Sequence, residues 1–222
     1  MHANFFQWIN VNDFRSILCL NGHLPDKSFF EQCPIRPVIA VDGSANQLMQ
    51  NTLTFDVLIG DLDSVNVVIN PTIQVLELKH QSQSDFEKSI DFSTQNELFP
   101  AIILGINGGY LDHILNNVSL FSQLDCIFYA PPIMGMMIHP QKPFSMRLPK
   151  HTKISLMAMP HAVLNSKGLI WELEQMTLNF PGQSSCFNRT VSNIVNIDVI
   201  EGLVLALIYT QPIDDGANFF LK

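Results

Sequence analysis

The sequence predicts an α/β domain built on a parallel sheet, followed by a C-terminal antiparallel β-sandwich. Three observations carry that expectation. Up to Pro131 short apolar runs alternate with helical stretches, and long hairpin signals are missing, which is the pattern of βαβ units with a sheet covered on both faces. After that point the helical period disappears, and Pro131, Pro132, Pro140, Pro143 and Pro149 interrupt short apolar pieces. From Lys153 onward Asn, Gly and Pro separate brief apolar runs, as in an antiparallel sandwich. The division expected is residues 1–142 for the α/β domain and 143–222 for the sandwich.

Residues 15–20 (R-S-I-L-C-L) form a first buried strand, closed by the turn Asn21-Gly22. Pro25 opens a helix over 25–32, with Asp26 in its first turn. A second strand, 38–41, ends in Asp42, and Gly43-Ser44-Ala45-Asn46 lead into a helix through Gln50. Residues 57–59 and 73–78 are the next strands, the latter with β-branched Ile73 and Val75. Ser84-Asp85-Phe86-Glu87 has the form of a capping box and opens a helix to Asn96. Residues 101–104 are a strand, 105–109 a glycine-rich turn, 111–124 a helix and 126–129 the last strand of the series. In the second part, strands are expected at 133–138, 154–159, 168–173, 176–180, 194–199 and 203–209. Met134, Met136 and Met137 are packing residues in the first of these.

Charge narrows the function. Twelve basic residues stand against twenty acidic ones, with no basic run, so a nucleic-acid surface is excluded: phosphate contacts need Lys and Arg. A phosphate-bearing substrate then has to arrive with its own metal. The four cysteines are scattered without C-x-x-C spacing, and Cys19 and Cys126 lie in apolar runs as small core residues. The N-terminus has no basic segment leading into an apolar one, and no apolar run approaches the length of a membrane span. A soluble, reducing, cytoplasmic setting without membrane partners is expected.

The chemistry centres on V-L-I-G-D-L-D-S, residues 57–64. Three apolar residues form a buried strand, Gly60 ends it, and Asp61 and Asp63 follow with one residue between them. In an extended segment residues two apart point to the same side, so both carboxylates project together from the strand end. Like charges that close repel unless a cation or a proton sits between them, and magnesium carrying substrate phosphates is the commonest form of the first arrangement. The competing reading is an acidic turn capping a helix at Ser64. Ligands of such sheets bind outside the carboxyl ends of the strands, and Asp42, Asp61, Asp63, the 81–85 turn and the 105–112 loop all fall at that edge.

Four motifs now stand in order: D-G-S-A-N (Asp42 to Asn46), G-D-L-D-S (Gly60 to Ser64), Q-S-Q-S-D-F-E-K (Gln81 to Lys88) and G-G-Y-L-D-H-I-L-N-N (Gly108 to Asn117). The series resembles the thiamine pyrophosphokinase family, whose members carry D-G-G-A-N, G-D-x-D-S, D-Q-x-x-T-D-x-x-K and G-G-R-x-D-H-like motifs in that order. Leu20-Asn21-Gly22 is similar to the family's first strand end. Gly168-Leu169-Ile170-Trp171 and Ser192-Asn193 are similar to its G-L-x-W and S-N signatures.

The resemblance implies transfer of a pyrophosphoryl group from ATP to the hydroxyl of thiamine, in a homodimer with sites between subunits. Asp42, Asp61, Asp63 and Asp85 would hold magnesium, and Asp61, Asp63, Asp85 or Asp112 would take the hydroxyl proton. Asn46, Gln81, Lys88, Gly108, Gly109 and Asn117 would line the substrate site, with the Gly108-Gly109 turn letting backbone N–H groups approach a phosphate. Lys88 has a plainer role open to it as a solvated i,i+3 partner of Asp85. Trp171 offers a flat face for a cationic ring, or is a buried sandwich tryptophan. Ser192 and Asn193 would hydrogen-bond the pyrimidine, or form a strand-entry turn. The chain departs from the pattern at Ser44, His80 and Ser82, and most seriously at Tyr110, which replaces an arginine that would neutralise phosphate charge; Arg189 is a possible substitute for it. Two rivals follow: a thiamine- or nucleotide-binding protein with weakened catalysis, and a nucleotide-sugar transferase using D-x-D to hold its metal.

Overall fold

The computed structural model describes residues 2–211, so residues 212–222 of the expected second domain lie outside the described residues. Contacts divide the chain into two units, residue 2 with 9–131, and helix α1 (Ala3–Trp8) with the chain from Pro132 onward.

The first unit is a doubly wound α/β layer. Its strands are β1 (Ser16–Cys19), β2 (Val38–Val41), β3 (Val57–Gly60), β4 (Gln74–Glu77), β5 (Ala101–Leu104) and β6 (Ile127–Ala130). They pair in the order β4-β3-β2-β1-β5-β6, every pair parallel. All residues of β1, β2, β3, β5 and β6 are buried, as expected of strands covered on both faces, whereas edge strand β4 is largely exposed. The chain winds outward from β1 through β4, then returns to place β5 on the other side of β1. That reversal is a topological switch point, where the loops after β1 and β5 diverge and leave a crevice.

Local chemistry sets the helices. In α2 (Lys27–Gln32) Asp26 is the N-cap, its carboxylate accepting the Ser28 N–H at 2.9 Å, so the helix starts two residues later than Pro25 suggests. α3 (Ser44–Gln50) follows Asp42 directly. α4 (Asp85–Gln95) opens on the expected capping box: Ser84 Oγ accepts from the Glu87 N–H, and the Glu87 carboxylate accepts from the Ser84 N–H at 2.8 Å. α5 (Leu111–Phe121) begins after Tyr110, which supplies no side-chain cap.

The second unit contains β7 (Ile133–Ile138), β8 (Phe144–Arg147), β9 (Lys153–Lys167), β10 (Met176–Asn179), β11 (Ser185–Arg189) and β12 (Ile194–Tyr209). All its pairings are antiparallel. β9 and β12 run beside each other and change outer partners along their length. One end gives β8-β12-β9-β10, and the other gives β7-β12-β9-β11. Register shifts in β12 between Val199 and Val204 mark the change, opposite Pro160 on β9. The runs at 194–199 and 203–209, expected as two strands, are therefore one. Residues 168–173 are not a strand: they form a loop held by the single bridge Leu169–Thr190, because the Glu172 carboxylate takes the Gly168 and Leu169 N–H groups. Among the described residues no helix is long and apolar enough to cross a membrane.

Candidate active site

At the carboxyl edge of the parallel sheet a cleft of about 700 Å³ opens. Asn21 and Gly22 line it from the β1 turn, Asp42 from the end of β2, Asp61, Asp63 and Ser64 from the end of β3, and Ser84 and Asp85 from the start of α4. The far wall is Gly108, Gly109, Tyr110, Asp112, His113, Asn116 and Asn117.

Three of these carboxylates converge. Asp42, Asp61 and Asp85 each present an oxygen within 4.8 Å of the other two. Asp42 is buried, and its Oδ1 has no hydrogen-bond partner among the described residues. Burial pushes its carboxyl above the usual range, and the charges of Asp85 and Asp61 push the same way against the N–H of Gly43. A buried aspartate with an unpartnered oxygen, gathered with two more carboxylates, is the donor set of a hard divalent cation, and these three residues would hold one. Gly60 makes the convergence possible: at φ +154° it carries no Cβ, which would lie 3.0 Å from the Cβ of Asp42.

The other groups orient the cluster. Gln81 Nε2 donates to Asp61 Oδ2 at 2.9 Å, the main reason its carboxyl lies below the ordinary range, and the Asp63 N–H adds to the effect. Asp85 Oδ1 accepts from Lys88 Nζ at 2.9 Å and from the Asp61 N–H at 3.2 Å. Lys88 is 2% exposed, so it is not the solvated partner of the plainer reading; it is a buried cation fixed on a cluster ligand. Asn46 donates to the Ser64 carbonyl at 2.7 Å and accepts from the Asn66 N–H at 2.8 Å, which holds the loop after β3 in place.

Asp63 lines the cleft but stands outside the cluster. The expectation that it projects with Asp61 assumed an extended backbone. Instead Leu62 has φ 63°, and Asp61 Oδ1 accepts from the Asp63 N–H at 3.3 Å, a tight turn in which alternation is lost. Asp112, on the first turn of α5, is exposed on the opposite wall with Asn117 behind it. Gly108 and Gly109 have φ of 103° and 75° and form the turn leading to that helix. His113 and Asn116 also line the cleft; from the sequence His113 reads as a helix-start packing residue, but it is exposed there. The signal was available, since 112, 113, 116 and 117 share one helical face.

Trp171, Ser192 and Asn193 belong to the second unit. Trp171 is 50% exposed rather than a buried sandwich residue. Buried Asn188 grips its backbone from both sides, accepting from the Trp171 N–H at 3.2 Å and donating to its carbonyl at 2.7 Å. Ser192 Oγ accepts from the Ile194 N–H at 3.1 Å and donates to the Ile194 carbonyl, a local turn, and the Asn193 carbonyl accepts from Leu148 N–H. Gly168 brings the two motifs together: a Cβ there would sit 2.9 Å from Ser192 Oγ. A smaller cavity of about 210 Å³ in this unit, bordered by Lys150, His151, Lys153 and Arg189, holds none of the singled-out groups except Arg189.

Known proteins resemble this chain in sequence and in fold. Residues 27–128 match the family model described as thiamin pyrophosphokinase, catalytic domain. The chain is 26% identical to thiamine pyrophosphokinase 3 of Oryza sativa subsp. japonica, covering 82% of each protein, and 28% identical to thiamine pyrophosphokinase 1 of the same plant, covering 64% of this chain and 61% of the relative. Its fold is that of the Bacillus subtilis thiamine pyrophosphokinase crystal structure, with a TM-score of 0.77 at 17% identity over 89% of this chain and all of the other. It is also that of yeast thiamin pyrophosphokinase, with a TM-score of 0.73 at 14% identity over 90% of this chain and 87% of the other. In its match to the family model, in its curated relatives and in its fold, the chain is similar to thiamine pyrophosphokinases.

Proposed function

We propose that the chain is a thiamine diphosphokinase, transferring a pyrophosphoryl group from ATP to the hydroxyl of thiamine with magnesium as the metal. The observation that carries this reading is the cluster of Asp42, Asp61 and Asp85, with Asp42 buried and its Oδ1 unpartnered among the described residues. A magnesium ion on these three carboxylates would neutralise charge on the polyphosphate and fix its position. In the reaction the thiamine hydroxyl oxygen forms a bond to the β-phosphorus, the bond from that phosphorus to the α,β-bridging oxygen breaks, and AMP leaves with the electron pair. The hydroxyl proton passes to a carboxylate.

Asp112 suits that last role best among Asp61, Asp63, Asp85 and Asp112. It faces the cleft outside the cluster, as Asp63 does, but the Asp63 Oδ1 is tied into the turn after β3 by the Ser64 hydroxyl at 2.9 Å, whereas Asp112 stands apart on α5. Lys88 holds Asp85 in position rather than reaching a phosphate, and Gln81 does the same for Asp61. Gly108, Gly109 and the uncapped start of α5 offer N–H groups to phosphate oxygens. We assign Trp171, Ser192 and Asn193 to thiamine binding, supplied in a homodimer by a second copy of the chain, and we place the enzyme in the cytoplasm. Its four free cysteines suit a reducing compartment.

Incubating the pure protein with ATP, magnesium and thiamine tests the reaction: thiamine diphosphate and AMP are expected in equal amounts. ADP as the nucleotide product, or no thiamine-dependent turnover, would overturn it. Mixing inactive Asp61→Asn and Trp171→Ala/Ser192→Ala chains after dissociation tests sharing. Shared sites return activity towards about a quarter of wild type, because half of the dimers are mixed and each carries one intact site.

A further inference from the structure

The cleft is lined by five aspartates and, among the described residues, by no lysine or arginine. Lys88, bound to the lining residue Asp85, is itself buried. A lining of that sign attracts a positively charged organic group and leaves phosphate charge to the metal. On the α5 wall, outside the metal cluster, Tyr110 is 80% exposed, a large aromatic surface at the mouth of an acidic cleft. The ring of His113 meets it edge to face at 6.3 Å, and the Asp112 carboxylate lies two residues along the same wall. An exposed ring lining a cleft whose charged side chains are carboxylates is the setting in which a delocalised organic cation is held.

We propose that Tyr110 is a specificity-determining residue that seats the cationic ring of the acceptor, with the carboxylate of Asp112 beside it. The proposal rests on the thiamine reading of the site and assigns its thiazolium to the α5 wall. Tyr110 contributes no side-chain cap to α5, so shortening it leaves the helix start intact.

Calorimetric titration of thiamine into the full-length protein tests the assignment, with magnesium and a non-hydrolysable ATP analogue present. Tyr110→Ala is expected to weaken thiamine binding about three- to thirtyfold, the range of a cation–π contact, and Tyr110→Phe to keep it within about twofold. An uncharged reduced thiamine analogue should bind wild type and Tyr110→Ala alike. Unchanged thiamine affinity in Tyr110→Ala, or equal losses for the charged and uncharged ligands, would overturn the proposal. Turnover is read separately. Wild type that transfers pyrophosphate while Tyr110→Ala binds thiamine normally overturns this assignment and leaves the transferase reading. Wild type that binds thiamine through Tyr110 but forms no AMP does the reverse.

Discussion

The two units gather their candidate residues by different means. In the α/β unit, parallel strands β2 and β3 and the start of α4 deliver Asp42, Asp61 and Asp85 to one edge, and the sheet decides that these residues meet. In the second unit, Trp171 and Ser192 lie on loops joined by one bridge, Leu169–Thr190, and by side-chain grips such as Asn188 on Trp171. The first arrangement is rigid and strongly charged, with an oxygen left for a metal. The second presents a half-exposed ring and local turns. A site built on strand ends suits in-line positioning of a phosphorus centre, whereas a loop-borne ring suits recognition of a flat organic group.

The contrast is sharpest in turnover. Asp61→Asn or Asp85→Asn should lower the rate of AMP formation by about a hundredfold or more, the scale of losing preorganised charge stabilisation, with the unfolding temperature little changed. Near-normal rates at saturating magnesium would remove the metal cluster from the argument. Trp171→Ala should raise the thiamine KM about two- to tenfold and leave the ATP KM nearly unchanged, consistent with loss of one aromatic stacking face. Equal changes in both constants would mean that the second unit does not discriminate between substrates.

Much of the first unit was legible because its signals are local. Each buried strand is a short apolar run, and a glycine or aspartate follows each of β2 and β3. The capping box fixed the start of α4, and with it the position of Asp85. What was not legible depended on one dihedral or on distant partners. The left-handed Leu62 cannot be read from its side chain, yet it separates Asp63 from Asp61. The burial of Lys88 depends on tertiary packing around α4, so spacing alone left it open between a phosphate contact and a solvated ion pair. In the second unit, two apolar runs merged into β12 because a strand that bulges at Gly202 continues beyond it, and turn residues do not distinguish a bulge from a chain reversal.

The Leu62 turn yields a smaller prediction. With Asp63 outside the cluster, Asp63→Asn should cost about tenfold or less, the low side of a lost electrostatic contact, while Asp61→Asn costs at least tenfold more. Comparable losses in the two variants, measured side by side at several magnesium concentrations, would show that Leu62 rearranges on metal binding and brings both carboxylates to the ion.

The smallest effect concerns stability, and its sign distinguishes a binding group from a folding group. Burial raises the Asp42 carboxyl above its unfolded value. A carboxyl shifted in that direction favours the folded state while protonated, so its contribution is fullest below the unfolded pKa and is lost as pH rises through the folded one. At neutral pH without metal, the ionised group is therefore a liability, with an oxygen that has no hydrogen-bond partner among the described residues. Asp42→Asn removes the charge at nearly constant volume. It should raise the unfolding temperature of the metal-free protein by about 2–4 °C, the shift that 1 kcal/mol gives in a chain of this size. Magnesium should stabilise wild type and leave the variant unmoved, since the metal binds only the folded state and needs this ligand. The gain should shrink as the pH is lowered towards the ordinary aspartate range, where the wild-type carboxyl is protonated. A metal-free variant less stable than wild type at neutral pH would mean that Asp42 serves the fold, and that the strand-end cluster is not poised for a cation.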